Sequence, residues 1–341
     1  MQQAVPPSSG STPALLPPAL CVLGLGLIGG SLVRAAGPRL PVFGWSPSEP
    51  TRSAAKADGH DVLDTLETAL TRADDRDALI VLASPVTTFR GLLRTIDAVA
   101  PAARLTDVAS VKAAVQEEVT ELAPRTRYIG SHPMAGTAAS GWAAGSPELF
   151  AGAAWVTCLT DDASVDDWAD VAGLALAVGS RVVPAEPHAH DLAVARISHL
   201  PHLMALALAQ VGEHGGSLAL SLAASSFADA TRVAGTRPEL IRAMCDTNRD
   251  ALIDAMDDVL GILGVARGSL ASTGSLFKIA EAGYLARGLF EQRANGLQLV
   301  TVQGADLIDQ LLAVGAAGGH VSALARGAAG LTAEAWYPDE D

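Results

Sequence analysis

Six residues near the start of the chain constrain its fold more than any others: Gly24-Leu25-Gly26-Leu27-Ile28-Gly29. They close an apolar run, Cys21–Leu25, and lead into a helical stretch through Ser31–Ala36. A strand that turns through glycines into a helix forms a cradle for a dinucleotide. The first glycine permits the tight turn, the second lets the backbone approach a pyrophosphate, and the third lets helix and strand pack closely. The phosphate then lies on the free N–H groups of the helix start. Gly24, Gly26, Leu27, Ile28 and Gly29 are therefore candidate cofactor contacts, against the plainer alternative of a glycine turn used only for packing. A second apolar run, Pro41–Trp45, follows at the spacing of a βαβ unit. An acidic residue at its end would accept from the ribose hydroxyls of NAD. Phe43-Gly44-Trp45-Ser46-Pro47-Ser48 offers none, and Arg52 and Lys56 follow. Glu49 can still reach back, and Arg52 reads equally as a solvated helix residue. The expected cofactor is NAD or NADP, with NADP favoured, and Ser46, Arg52 and Ser84 complete the expected contacts.

The remaining short runs are Ala78–Ala83, Arg104–Val108, Arg127–Gly130, Ala154–Leu159 and Arg181–Pro184. They lack polar alternation, as strands buried on both faces do. Helical stretches lie between most of them, so a parallel sheet covered on both sides is expected. After Pro187 the strand signals stop. His188–His214 reads as one long helix kinked at Pro201 and ended by Gly215-Gly216. Leu218–Val233, Pro238–Val265 and Gly274–Arg293 follow as helices, and Leu297–Gly315 reads as one more. The expected division is a disordered tail over 1–18, an α/β nucleotide-binding domain over 19–185, an all-α helical domain over 186–316, and a C-terminal tail over 317–341.

Charge and cysteine content narrow the classes. With 23 Lys plus Arg against 37 Asp plus Glu, the net charge is −14. That lacks the basic footprint of nucleic-acid binding or of polybasic membrane docking. Hydrophobic residues make up 49%, which argues against global disorder. Cys21, Cys158 and Cys245 are too few and too far apart for a disulfide framework, so a reducing interior is the natural compartment. No basic residue precedes Arg34, unlike a secretory signal. The apolar stretch Ala19–Val33 is short for a membrane span and broken by glycines. A cytoplasmic protein is expected.

Four further motifs carry chemistry. Tyr128-Ile129-Gly130-Ser131-His132-Pro133-Met134-Ala135-Gly136-Thr137 ends one of the runs and enters a glycine-rich loop. His132 thus lies at the carboxyl edge of the expected sheet, where ligands bind in such folds and where an imidazole can act as acid or base. The others are Asp107-Val108-Ala109-Ser110-Val111-Lys112, then His190-Asp191 with Ile197-Ser198-His199-Leu200-Pro201-His202, then Phe227-Ala228-Asp229-Ala230-Thr231-Arg232-Val233-Ala234-Gly235. With the glycine loop, and in this order from about Ala19 to about Arg293, they resemble the prephenate/arogenate dehydrogenase family of tyrosine biosynthesis.

The resemblance implies a Rossmann-type nucleotide-binding domain followed by a helical dimerisation domain, a homodimer, and oxidative decarboxylation of prephenate or arogenate. It makes His132 the base that takes the ring-hydroxyl proton and Ser110 its hydrogen-bonding neighbour. Ser110 also reads as the N-cap of a helix over Val111–Leu122. Arg232 is the implied carboxylate anchor, a role for which a planar fork suits better than lysine. His202 and Thr137 are the implied further substrate contacts. His199 and His202 share a helix face, while His190 and His199 read equally as packing groups. No HExxH pattern and no third ligand point to zinc, so no metal is expected. Two positions depart from the family pattern: Ala138, where Glu is frequent, and Ala228, where Lys is frequent. Both remove charge near the substrate's side-chain end. The 48 residues after Arg293 are too few for the family's small regulatory domain, and nothing before Ala19 could be a mutase. Two other readings remain: a β-hydroxyacid dehydrogenase, which would need a helical-domain lysine that 188–265 lacks, and a nucleotide sensor without catalysis.

Overall fold

The computed structural model describes residues 15–137, 139–328 and 330–338. Most of the expected tail at 1–18, Ala138, and the acidic end at 339–341 lie outside them. The first strands and helices are β1 (Leu20–Leu23), α1 (Leu27–Ala36), β2 (Val42–Trp45), α2 (Glu49–Ala57), α3 (Leu66–Asp75), β3 (Leu79–Leu82), α4 (Phe89–Val99), β4 (Arg104–Asp107), α5 (Ala113–Leu122) and β5 (Arg127–Ile129). The five strands pair in parallel in the order β2-β1-β3-β4-β5. Side chains alternate across each strand. Leu20 and Val22 enter one core while Cys21 and Leu23 enter another, on the opposite face. Burial on both sides explains why these runs carry no polar alternation.

The chain then builds a second, mixed sheet. Its elements are β6 (Ser131–Pro133), β7 (Ala154–Cys158), α6 (Val165–Ala177) and β8 (Arg181–Ala185). The runs at 154–159 and 181–184 thus do not extend the parallel sheet. They pair with each other in parallel, and β6 turns back antiparallel on β7.

A helical region follows: α7 (Pro187–Val194), α8 (Leu200–His214), α9 (Gly216–Leu222), α10 (Ser225–Thr231), α11 (Pro238–Thr247), α12 (Arg249–Ser272) and α13 (Phe277–Gln292). Pro201 lies in the first turn of α8, and the expected break is taken up just before it by a wide π turn at Ala195–His199. A π turn accommodates the amide that proline lacks. Taken together, Pro187–His214 is long and apolar enough to cross a membrane by length and composition. The expected helix at 218–233 breaks in two, and that at 238–265 breaks at Asn248.

The largest departure is at the C-terminal end. Leu297–Gly315 is not one helix, and 317–338 is not a tail. The chain forms β9 (Leu297–Gln303), α14 (Leu307–Ala316), β10 (His320–Gly327) and β11 (Gly330–Pro338). These strands join the second sheet in the order β6-β7-β8-β10-β11-β9, with Val321 opposite Val182. Val302, Leu311, Val314, Val321 and Leu331 share one core with Trp155 and Trp168. The β-branched residues Val300, Thr301 and Val302 ahead of Gly304 were the available signal.

Candidate functional site

The parallel sheet reverses its direction of growth between β1 and β3, the crevice where such folds bind ligands. The glycine loop lies there. Gly24 has φ +110°, and a Cβ on it would come within 2.6 Å of the Ala83–Ser84 backbone at the end of β3. Ser84 is thereby placed against the loop. A Cβ on Gly29 would approach the Gly24 carbonyl to 1.9 Å, whereas one on Gly26 would meet nothing within 4 Å. Two glycines thus serve packing, and the third opens onto free space at the start of α1, which has no acidic residue in its first turn. These residues fit a dinucleotide pyrophosphate. Leu27 and Ile28 form the first turn of α1.

Beyond β2, Ser46 is buried, and the Arg52 guanidinium donates to the carbonyls of Ser46 (2.7 Å) and Pro47 (3.1 Å). Arg52 therefore holds the turn where the adenosine ribose would lie, rather than standing in solvent. Lys56 pairs with Asp64, and Glu49 accepts from Ser53.

The second cluster lies on the same edge of the sheet. Asp107 ends β4 and is fully buried, and it accepts from the Ala109 N–H (2.7 Å), the Tyr128 hydroxyl (2.6 Å) and the Lys112 ammonium. Lys112, also buried, donates in addition to the Ser131 carbonyl (2.8 Å). This network fixes β6, and with it His132. His132 Nδ1 lies 2.9 Å from His190 Nε2 on α7, and His190 Nδ1 lies 2.8 Å from the Asp191 carboxylate. Asp191 also accepts from the Lys112 and Ala113 amides (2.8 and 2.9 Å). It thus caps α5 from 79 residues away, and that cap corrects the expectation for Ser110. The helix starts at Ala113, with no side-chain cap of its own. Ser110, half-buried in the turn between β4 and α5, is left free of that duty.

Asn248, at the break between α11 and α12, donates to the Asp191 carbonyl (2.8 Å). The same amide lies 3.1 Å from His199 Nδ1, leaving the buried His199 Nε2 without a partner. Burial, and then the nearby basic groups His190, Lys112 and His199, hold His132 well below the usual imidazole value. Burial likewise pushes His199 down to about 4. For Asp191, burial raises the carboxyl, but the hydrogen bonds from His190 and the two amides outweigh it and the net shift is downward. The sequence alone leaves the role of His190 open and does not single out Lys112, Asp191 or Asn248. The adjacent His190-Asp191 pair was a visible signal for two of these, but the reach of Asn248 was not.

The substrate candidates are less closely gathered. His202, half-buried on α8, donates Nδ1–H to the Ser198 carbonyl (2.8 Å). Arg232 is exposed and starts a 3-10 turn that packs on α8, and none of the ion pairs among the described residues engages it. Thr137 is exposed and accepts from the Ala139 N–H (3.2 Å). The loop they share with Trp142 is tied to α1: Arg34 stacks 3.6 Å over the Trp142 ring, and the Ser146 N–H donates to Ser31 (3.0 Å).

A dinucleotide cradle and a neutral, desolvated imidazole on one sheet edge, followed by a helical region, belong to a nicotinamide-dependent oxidoreductase. Two family models narrow the class. Residues 29–184 match the prephenate dehydrogenase nucleotide-binding domain, and residues 186–267 match the prephenate dehydrogenase dimerization domain. The chain is 33% identical over 277 residues to the cyclohexadienyl dehydrogenase of Zymomonas mobilis, covering 74% of this chain and 88% of that protein. Among solved structures, a protein of Corynebacterium glutamicum assigned to the prephenate dehydrogenases is 46% identical (TM-score 0.79; 82% and 90% of the two chains covered). The arogenate dehydrogenase of Synechocystis is 32% identical (TM-score 0.66; 81% and 98% covered). The chain belongs to the prephenate dehydrogenase family. Residues 297–338 lie beyond both matched models.

Proposed function

We propose that the chain catalyses the NAD(P)-dependent oxidative decarboxylation of prephenate to 4-hydroxyphenylpyruvate in tyrosine biosynthesis, with arogenate, giving tyrosine directly, as the alternative substrate. The observation that carries this reading is His132, kept neutral by burial on the same sheet edge as the glycine cradle. Bound nicotinamide dinucleotide supplies the two-electron acceptor. His132 takes the ring-hydroxyl proton as the carbinol carbon is oxidised. Ser110, free of a capping role, hydrogen-bonds at the same oxygen. The electron-poor ring then releases its carboxylate as CO2, the freed electron pair makes the ring aromatic, and His132 returns the proton to the phenolic oxygen. Arg232 anchors a substrate carboxylate as a bidentate fork, and His202 and Thr137 contact the substrate around it.

The glycine loop, Ser46, Arg52 and Ser84 hold the dinucleotide. NADP is favoured because Arg52 is fastened to the turn after β2, where no carboxylate replaces it. The working assembly is a homodimer joined through the helical region. The dimerization description of the matched model supports this, as do the exposed apolar side chains of that region. The cytoplasm is the assigned compartment, in keeping with three thiols that are free.

The test measures initial rates of nicotinamide reduction with prephenate and arogenate, each paired with NAD and NADP, in wild type and His132→Asn. Turnover in one pairing that falls by about 10³-fold or more in the variant supports the assignment. No turnover in any pairing from folded protein overturns it.

A further inference from the structure

We propose that His190 and Asp191 set the tautomer of His132 and thereby make its Nε2 the basic atom of the site. They are positioning residues, and the inference rests on reading His132 as the base. The argument starts from Asp191, because an ionised carboxylate can only accept. Two amides at the start of α5 donate to it at 2.8 and 2.9 Å, which fixes the carboxylate in place. His190 Nδ1, 2.8 Å from the same carboxylate, must therefore carry a proton. In a neutral imidazole the other nitrogen is then an acceptor. His132 Nδ1 lies 2.9 Å from that acceptor and must donate to it. The remaining nitrogen of His132, Nε2, keeps its lone pair, and no hydrogen bond among the described residues occupies it.

The intervening ring has a physical use. A carboxylate bonded directly to His132 would favour the charged imidazolium and leave less of the ring neutral and able to accept a proton near pH 7. A neutral imidazole between them transmits orientation and tautomer while holding the negative charge one ring further away. The same carboxylate caps α5, so the turn carrying Ser110 and the ring of His132 are referred to one anchor. Asn248, donating to the Asp191 carbonyl at 2.8 Å, ties that anchor to the start of α12.

Asp191→Asn tests the chain of inference. Oδ1 accepts from the Lys112 amide and faces His190 Nδ1, while Oδ2 accepts from the Ala113 amide. An asparagine that keeps its oxygen on the Ala113 amide therefore gives up the Lys112 bond and turns its NH2 group toward His190 Nδ1. Every donor along the relay reverses, and His132 Nε2 becomes protonated. The expected result is a fall in kcat on the order of 10²–10⁴-fold with KM little changed, the penalty of a wrong tautomer. His190→Gln offers an acceptor toward His132 and a donor toward Asp191, so it should retain activity within about tenfold, while His190→Leu should fall with Asp191→Asn.

Nitrogen-15 spectra of histidine-labelled enzyme without substrate provide a second readout, with His132→Asn identifying the signal. His132 Nε2 should be unprotonated in wild type and His190→Gln and protonated in Asp191→Asn. A His190→Leu enzyme with wild-type kcat and an unchanged His132 signal overturns the proposal. Equal activity of His190→Gln and His190→Leu does so even if Asp191→Asn fails to fold. An inactive wild type with an unprotonated Nε2 would instead sink the dehydrogenase reading and leave the tautomer assignment standing.

Discussion

Asp191 illustrates how one side chain can serve two structures. Its carboxylate caps the start of α5 and orients the His190 imidazole. Around it, burial keeps histidines neutral, and this has a consequence for stability. His199 titrates near 4 in the folded chain and near its ordinary 6.5 when unfolded. Between those values the unfolded chain binds more protons. Stability from this group is thus complete above about pH 6.5 and declines as pH falls toward 4. The effect of His199 alone is on the order of 3 kcal/mol. Denaturant midpoints at pH 7.5, 6 and 5 should fall more steeply for wild type than for His199→Gln, and identical slopes would refute the assignment. His132 is shifted in the same direction, so kcat/KM should hold at pH 6.5 and be lost only at lower pH. A pH–rate profile with an acid limb at or above 6.5 would contradict it.

At the scale of elements, the glycine cradle separates fold from ligand. Gly29→Ala would drive a Cβ into the Gly24 carbonyl, and the loop must move. Gly26→Ala meets nothing, so its thermal midpoint should stay within a degree or two of wild type. Its cost should appear as about tenfold or more in dinucleotide affinity, where the backbone must approach a pyrophosphate. Calorimetric binding alongside thermal unfolding reads both, and a Gly26→Ala enzyme with unaltered affinity would remove Gly26 from the binding surface. This division follows from the sequence pattern, since GxGxxG between a strand and a helix has few other uses. The cap of α5 does not. Ser110 stands where a capping residue would be expected, but the tertiary fold brings a carboxylate to the helix start, and a through-space donor set leaves no trace in local spacing.

For the whole molecule, the distribution of apolar surface is uneven. The two sheets and their helices bury continuous cores, whereas the helical region buries a small cluster around Ala195, Ala251 and Ala255. Leu218, Leu222, Phe277, Tyr284 and Leu289 are 68–79% exposed in the single chain. Monomers seldom leave so much apolar surface uncovered, and a second copy is the partner this region fits. Light scattering should return twice the chain mass, and Leu218→Asp with Leu289→Asp should dissociate or precipitate the protein. A wild-type monomer at micromolar concentration would contradict the dimer.

The amino-acid order alone determined the features that depend on neighbours along the chain. Apolar runs became the strands of the parallel sheet, the glycines marked the cradle, and the linked motifs carried the family. Strand period and turn chemistry are local properties, so they can be read without a fold. The tertiary structure decided the rest. It assigned the last two expected strands to a separate mixed sheet. It turned the segment at 297–338 from an expected helix and tail into three strands and a helix, because β8 offered an edge and a shared core that no local pattern announces. It also joined His132, the adjacent pair His190-Asp191, and Asn248, from three distant parts of the sequence, into one hydrogen-bonded chain. Buried polar groups must find partners wherever the fold supplies them, and only the folded molecule specifies which ones it supplies.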